Sequence, residues 1–366
     1  MTARIVLLGA TGYTGRRTAE EMVGRGLRPV LAGRSPRRLA PLAQRLGDLE
    51  TATADATDAA SVRALVTEGD VLVSTVGPFV QLGEAALAAA VEAGATYLDS
   101  TGEPPFIRRV FEEFGPLAER TGASLLTAFG NDYVPGNLAG ALALQLAGEQ
   151  AHRVEVAYYL TGGGRSQVFS RGTLASLAGV ATEQVFTWRD GISAEPAGLR
   201  MRTFPVAGRE RPALTIGSSE HYTLPRLHPG PHEVDVYLGW FGPATKAVHL
   251  GSRVGSSLLR LPGARPLVRR LGELATSRVA EEPDPAVLER VTSHFIGATF
   301  DAAGTPQSEV RLVAGDPYRL TARLLAWGAG RAAERGVTGL GALGPVDAFG
   351  LDVLEAGCAE IGLRRT

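Results

Sequence analysis

The chain has 366 residues, of which 45% are hydrophobic and 20% charged, an ordinary globular composition that fits two or three domains. Its 37 basic and 38 acidic side chains leave a net charge of −1, so no overall field attracts nucleic acid and that class of function is excluded. The single cysteine, Cys358, excludes an intrachain disulfide. The longest uncharged stretch has 16 residues, too few to span a bilayer, and the amino terminus does not read as a signal peptide. We therefore expect a cytoplasmic protein without a transmembrane segment.

The first 130 residues alternate between short apolar runs and helical patterns. The apolar runs predict strands at Arg4–Leu8, Pro29–Ala32, Thr51–Ala54, Val71–Val76, Thr96–Leu98 and Ser124–Ala128. The helical patterns between them lie at Gly15–Arg25, Leu39–Leu46, Ser61–Thr67, Glu84–Ala93 and Pro105–Thr121. This alternation predicts an α/β fold, a Rossmann-type doubly wound parallel sheet over residues 1–130.

Longer strands with few helices between them follow Gly130. They are predicted at Arg153–Leu160, Arg200–Pro205, Glu233–Leu238, Thr292–Asp301 and Ser308–Ala314. Helical patterns return at Tyr318–Glu334 and Val346–Ile361. We predict a second, α+β domain over residues 131–330 for substrate binding or dimerisation. It would be inserted before carboxy-terminal helices, about 331–366, that pack back on the first domain.

A glycine-rich turn, GATGYTG, joins the first predicted strand to the first helix. Glycines at this point permit a tight turn and let the backbone approach a pyrophosphate at the helix N-terminus. The turn therefore predicts dinucleotide binding through Gly9, Thr11, Gly12, Tyr13, Thr14 and Gly15.

The end of the second strand indicates which dinucleotide binds. NAD enzymes usually place an acid there for the ribose diol, but this chain has Arg34, Ser35 and Arg38. Because arginine can clamp a 2′-phosphate, we predict NADPH, although a solvated basic helix start is the alternative. Further predicted cofactor contacts follow the third, fourth and fifth strands, at Asp55, Val76, Gly77, Pro78, Phe79 and Gly102.

Standard short-chain dehydrogenase chemistry is excluded, because the only lysine, Lys246, has Gly242 four residues before it and no Tyr-x-x-x-Lys pair exists. The motifs GATGYTG, LAGRSPRRL, STVGPF and GATYLDSTGE, in this order, point elsewhere. With them the chain resembles the saccharopine dehydrogenase-like oxidoreductases, which include the trans-acting enoyl reductases of actinobacterial lipid assembly. The resemblance is strong over the first 140 residues and scattered beyond them.

The resemblance implies hydride transfer from NADPH to a polarised double bond, with a second domain over the substrate. A proton donor should lie on loops at the carboxyl ends of the strands, where Asp99, Glu103, Asp132 and Tyr133 stand. Tyr133 could donate the proton and Asp132 could hold an amine or iminium. The alternatives are that Asp99 caps a turn, Glu103 begins a helix and Tyr133 packs in the core.

Three residues around a glycine run, Arg165, Ser166 and Arg171, are candidates for binding a substrate carboxylate or phosphate. Residues 246–278 carry seven basic groups and one acid among leucines. This pattern suits docking to an acidic carrier protein or an anionic membrane surface, with an ordinary solvated surface helix as the alternative. The histidines at 221, 228 and 232 lack the spacing of a metal site, and none is predicted.

The sequence is compatible with three functions. The first is NADPH-dependent reduction of a C=N bond in the manner of a saccharopine reductase. The second is trans-acting reduction of an enoyl C=C bond on a carrier-bound or lipid substrate. The third, of another class, is an NADP-sensing regulator without catalysis, against which the large second domain argues. A homodimer would suit the fold.

Overall fold

The computed structural model describes residues 3–163, 168, 184–196, 198–227, 231–242, 245–250 and 282–366. The chain divides into two compact units. The first unit comprises Met1–Thr101, Phe106–Val134 and Tyr318–Ile361. The second comprises Gly102–Pro105, Pro135–Pro317 and Gly362–Thr366, so it is inserted into the first along the chain.

The strands of the described residues are numbered in chain order. They are β1 (Ile5–Leu8), β2 (Val30–Gly33), β3 (Thr51–Thr53), β4 (Val71–Ser74), β5 (Thr96–Asp99), β6 (Ser124–Leu126), β7 (Arg153–Thr161), β8 (Gln184–Arg189), β9 (Ile192–Pro196), β10 (Met201–Val206), β11 (Arg209–Thr215), β12 (Glu233–Leu238), β13 (Thr292–Phe300), β14 (Pro306–Ala314), β15 (Gly341–Ala342) and β16 (Arg364–Arg365). The α-helices are Tyr13–Gly24, Pro36–Arg45, Ala59–Arg63, Phe79–Leu82, Glu84–Ala93, Pro104–Arg109, Gly115–Thr121, Val134–Ala147, Glu220–Leu227, Pro285–Leu288, Pro317–Arg335, Pro345–Phe349 and Leu351–Glu360.

The first unit is built on a seven-stranded sheet in the order β3-β2-β1-β4-β5-β6-β15, and every neighbouring pair is parallel. Strands β1, β2 and β4 are buried along their whole length, which is why their sequences are continuous apolar runs. The order reverses at β1 and β4, and the crevice at such a reversal is where doubly wound folds bind ligands. The predicted Rossmann-type architecture is confirmed.

The second unit contains a nine-stranded mixed sheet. Its main path is β10-β11-β12-β7-β13-β14-β16, with β8 joined to β12 and β9 joined to β8. Strands β7 and β12 are parallel, whereas the other pairs are antiparallel. The buried helix Val134–Ala147 approaches β13 so closely that a Cβ on Gly297 would lie 2.3 Å from the carbonyl oxygen of Ala139. The predicted α+β class is confirmed.

Several elements differ from the sequence prediction. The helix Val134–Ala147 was not predicted, although its residues form the long uncharged stretch. Strands β8, β9, β11, β15 and β16 were also missed. The helix predicted at Ser61–Thr67 is Ala59–Arg63, because the backbone N–H and the hydroxyl of Thr67 turn to the Asp70 carboxylate at 2.9 and 3.0 Å. The helix predicted at Pro105–Thr121 contains a π-helical segment at Val110–Phe114.

The unit boundaries lie near the predicted domain boundaries. The first unit continues to Val134, and it resumes at Tyr318 because the helix Pro317–Arg335 is one unbroken element that a boundary at residue 330 would cut. Residues 362–366 group with the second unit, since β16 pairs with β14. Among the described helices, none is both long enough and apolar enough to cross a membrane.

Candidate functional site

A cleft of about 310 Å³ opens in the first unit at the carboxyl ends of β1 to β4. Eight of the residues predicted to bind the cofactor line it: Gly9, Thr11, Gly12, Arg34, Arg38, Asp55, Val76 and Gly77. Leu8, Gly33, Ala54, Ala56, Thr57, Thr75 and Leu82 complete the lining. Because these residues come from four successive strand ends, the parallel sheet itself assembles the cleft.

The glycine turn is shaped by close contacts. Gly9 has a φ of +86°, and a Cβ there would lie 2.7 Å from the Thr75 hydroxyl oxygen. A Cβ on Gly15 would lie 2.2 Å from the carbonyl oxygen of Gly9, so glycine lets the first helix sit against the turn. Gly12 precedes that helix and has no side chain to cap it. The positive end of the helix dipole is therefore presented to the cleft, as a pyrophosphate site requires.

Basic side chains surround the end of β2. Arg34 and Arg38 are both exposed and line the cleft, and the Arg38 guanidinium donates to the carbonyl oxygen of Thr11 at 3.2 Å. Asp55, after β3, accepts hydrogen bonds from the backbone N–H and hydroxyl of Thr57 at 2.9 and 2.8 Å. These bonds, with a smaller contribution from the Arg34 charge, lower the pKa of Asp55 below its ordinary value. No acid stands where an NAD enzyme would hold the ribose diol, so this end suits a 2′-phosphate.

The remaining predicted cofactor residues lie outside the lining of the cleft. The Tyr13 ring packs edge-on against Tyr318 at 5.2 Å and carries the Arg17 guanidinium at 4.6 Å. Phe79 is buried and packs against Phe106 at 5.6 Å between ring centroids. The others are Thr14, Gly15, Ser35, Pro78 and Gly102, of which Gly102 groups with the second unit.

Asp99 is fully buried at the carboxyl end of β5. Its carboxylate accepts hydrogen bonds from the backbone N–H groups of Thr101 and Ala128, at 2.8 and 2.9 Å, and from the Thr127 hydroxyl at 2.8 Å. Burial raises the pKa of Asp99 to about 6 in spite of these bonds. Its contacts are those of an anchor that fixes the turn after β5 and the segment after β6.

Asp132 and Tyr133 lie in the same segment after β6. Burial raises the pKa of Asp132 to about 6, and a hydrogen bond from the Asn131 amide, at 2.9 Å, opposes that rise. Tyr133 is buried, with 4% of its surface exposed. Glu103 is also 4% exposed, but it belongs to the short stretch 102–105 that groups with the second unit. The structure thus places three of the four predicted catalytic residues in the first unit and Glu103 in the second.

The second unit contains a buried polar cluster that the sequence did not predict. Glu220 is fully buried, the Tyr158 hydroxyl donates a short hydrogen bond to it, and the Ser219 hydroxyl donates to it at 3.3 Å. Asn137 donates to Ser219 at 3.0 Å and accepts from Thr223. Burial raises the pKa of Glu220 to about 7. The sequence signal was slight, since Asn137 and Tyr158 lie far from Glu220 along the chain.

Other predicted features fall partly outside the described residues. Arg165, Ser166 and Arg171 lie outside them, as does the basic segment beyond residue 250. His221 is buried, which lowers its pKa to about 4, and His232 lies 2.5 Å from the Asp190 carboxylate. Across the part of the chain that the structure describes, no group of three or more His, Cys, Asp or Glu residues could hold a metal ion.

The fold and cleft define the first unit as a Rossmann-type dinucleotide-binding domain. Residues 5–125 match the family model described as the saccharopine dehydrogenase NADP binding domain. This segment is similar to that family, so the predicted resemblance and the NADP cofactor are both confirmed.

Curated relatives are also similar to this chain in sequence. A putative trans-acting enoyl reductase of Mycobacterium tuberculosis is 37% identical over 184 residues, which are 47% of this chain and 43% of the relative. A trans-acting enoyl reductase of Mycobacterium ulcerans is 38% identical over 140 residues, 37% of this chain and 34% of the relative. The matches therefore span less than half of these relatives' own lengths.

A solved structure matches the whole chain. It is the apo histidine-tagged saccharopine dehydrogenase (L-Glu forming) from Saccharomyces cerevisiae, with a TM-score of 0.60 and coverage of 100% of this chain and 99% of that one. Its sequence identity is 13%, so the likeness is one of fold.

Proposed function

We propose that this protein is an NADPH-dependent oxidoreductase that transfers hydride to a polarised double bond. The observation that carries the proposal is the cleft of an NADP-binding domain whose 2′-phosphate end is lined by Arg34 and Arg38. Gly9, Gly12 and the first helix would hold the pyrophosphate, and Val76 and Gly77 would border the nicotinamide ribose. When bound, NADPH supplies the hydride from C4 of its nicotinamide ring. The second unit supports an enzyme over a regulator, because nucleotide sensing alone does not require a second large sheet.

Reduction of a C=C bond is the finer reaction that we favour. The relatives named as enoyl reductases are 37–38% identical to this chain over 140–184 residues, whereas the saccharopine dehydrogenase shares the fold at 13% identity. In such a reduction the hydride adds to the β-carbon of an enoyl group and a proton adds to the α-carbon. A C=N bond, in which carbon receives the hydride and nitrogen the proton, is the second candidate.

The proton donor that we assign is Asp132. Its pKa of about 6 keeps a larger share of the acid protonated near neutral pH than an ordinary aspartate would retain. Asp99 has a similar pKa, but its carboxylate is occupied by three hydrogen bonds from its surroundings and serves as an anchor. Glu103 and Tyr133 remain candidates for contacts to the substrate.

A carrier-bound substrate is part of the proposal, and the names of the relatives, which describe trans-acting enoyl reductases, support it. The basic segment 246–278 offers positive charge for an acidic carrier protein. Docking through this segment and a homodimeric state are both parts of the proposal.

Deuterium transfer tests the reaction. The full chain is incubated with NADPH deuterated at C4, separately with an enoyl thioester on an acyl carrier and with a cyclic imine, and the products are examined by mass spectrometry. Enoyl reduction predicts one deuterium at the β-carbon of the thioester. Label in the reduced imine alone would replace that reaction with C=N reduction. Tight NADPH binding without transfer to either substrate class would favour the regulator.

A further inference from the structure

The segment after β6 is held firmly at its start. The Asp99 carboxylate accepts from the Thr127 hydroxyl at 2.8 Å and from the Ala128 backbone N–H at 2.9 Å. The backbone N–H of Phe129 then donates to the Asp99 carbonyl oxygen at 2.7 Å. Three successive residues are therefore tied to one buried side chain and its backbone.

A second tie comes from the helix Pro317–Arg335. The Thr321 hydroxyl accepts from the backbone N–H of Asn131 at 3.0 Å. A Cβ on Gly130 would lie 3.0 Å from the Thr321 methyl carbon, so the glycine allows the segment to approach the helix. The segment closes on itself where the backbone N–H of Tyr133 donates to the Ala128 carbonyl oxygen at 3.1 Å. Asn131 and Asp132 thus lie on a backbone fixed from both sides.

The Asn131 side chain is 5% exposed, and only one of its two polar atoms has a hydrogen-bond partner among the described residues. Its Nδ2 donates to Oδ1 of Asp132 at 2.9 Å, whereas its own Oδ1 is buried without a hydrogen-bond partner among the described residues. A buried acceptor without a partner is costly, and an apolar side chain of the same shape would remove that cost. Packing therefore does not explain the amide at position 131, whereas its hydrogen bond to the Asp132 carboxyl group does.

We propose that Asn131 is a positioning residue, which holds and orients the Asp132 carboxyl group for proton transfer, on a segment that Asp99 and Thr321 fix. This inference rests on the proposed function and deepens it. When Asp132 is ionised, the amide N–H stabilises the carboxylate. When Asp132 is protonated, the same hydrogen bond keeps the orientation of the carboxyl group.

The test compares Asn131→Leu with the wild-type protein. Leucine keeps the approximate shape and removes the N–H donor, so the pKa of Asp132 should rise by about one pH unit. Carbon NMR of the aspartate carboxyl groups measures this pKa, with Asp132→Asn assigning the resonance. The pH limb of kcat/KM that vanishes in Asp132→Asn should move to higher pH by the same amount in Asn131→Leu. NADPH affinity should stay within about twofold, and Asn131→Ser, which restores a polar hydroxyl donor, should move both readouts part of the way back.

Thr321→Val provides a second variant, because it removes the acceptor of the Asn131 backbone N–H and leaves the amide intact. It should lower kcat with a smaller change in the Asp132 pKa. An Asp132 pKa that is the same in wild type and Asn131→Leu would overturn the inference, whether or not turnover changes. A shifted pKa in a protein whose wild type reduces neither substrate class would instead overturn the proposed reaction, and with it the role in proton transfer.

Discussion

Close contacts at two glycines determine the packing of the turn that borders the cleft. The contacts at Gly9 and Gly15 leave no space for a methyl group. Packing as well as the position near the cofactor therefore requires glycine at both ends of the turn.

The sequence predicted these glycines and Arg34 from their position after strands, because strand, turn and helix are local in the chain. It could not rank Asp99 against Asp132, since their difference lies in hydrogen bonds from residues about thirty positions apart and from a neighbouring amide.

Glu220 is the titrating group whose surroundings were least visible in the sequence. Its pKa is about 7 in the folded protein, against an ordinary value of 4.5. An acid whose folded pKa is raised favours folding most below its unfolded pKa, and this contribution is lost as pH rises from 4.5 to 7. The shift corresponds to a loss on the order of 3 kcal/mol in the free energy of unfolding.

The variant Glu220→Gln should remove this dependence on pH. Gln keeps an acceptor for the Tyr158 hydroxyl and cannot ionise, so the variant should gain stability over wild type between pH 5 and pH 8. Urea unfolding at the two pH values measures the difference. Other buried acids also titrate, and comparison of variant with wild type cancels their contribution. The exposed Glu210→Gln in the same unit is the matched control and should follow wild type, whereas parallel curves for Glu220→Gln and wild type would refute the assignment.

At the scale of elements, the first helix links packing to cofactor binding. It begins beside the glycine turn at Tyr13 and ends at Gly24, where a Cβ would meet nothing within 4 Å. Two glycines on one helix therefore differ sharply in their surroundings, which makes them a matched pair.

Gly15→Ala should push the helix from β1, because its Cβ would lie 2.2 Å from the Gly9 carbonyl oxygen. We expect a loss of several kcal/mol in stability and a large loss of NADPH affinity. Gly24→Ala should instead raise stability by about 0.5–1 kcal/mol, since alanine favours helix more than glycine does, and leave affinity unchanged. Thermal unfolding and NADPH titration of both variants supply the comparison. Equal behaviour of the two would show that the turn is not packed as described.

Element prediction succeeded where the pattern is local. The helix Glu84–Ala93 and strand β12 have the predicted bounds, and strands β1 to β6 of the Rossmann sheet lie within a few residues of theirs. The helix Val134–Ala147 was missed because it is apolar on all sides and buried, so it lacks the periodicity of a surface helix. The helix has Pro135 at its second residue, and proline is tolerated in the first turn of a helix. A Cβ on Gly136 would lie 1.8 Å from the Tyr158 hydroxyl oxygen, a contact that no sequence pattern displays.

At the scale of the molecule, the two-part organisation was visible in the change of strand length after Gly130. The sequence showed only in part which carboxy-terminal residues belong to the first unit and which to the second. The helix Pro317–Arg335 begins the return to the first unit, while β16 at the far end pairs with β14 in the second. Such pairings join residues about fifty positions apart, and two-residue strands carry almost no local signal.

Calorimetric titration of the intact protein with NADPH and NADH, on wild type, Arg34→Ala and Arg45→Ala, tests the assignment of the cofactor. Arg45 ends the helix that follows Arg34 and forms an exposed ion pair with Glu20, so its removal matches the charge change away from the cleft. We expect the wild-type protein to prefer NADPH. Arg34→Ala should lose about 1.5–3 kcal/mol of binding free energy for NADPH, roughly 10- to 150-fold in affinity, with little change for NADH and none in Arg45→Ala. Equal affinity for the two nucleotides, or an Arg34→Ala protein that binds NADPH as wild type does, would contradict this assignment.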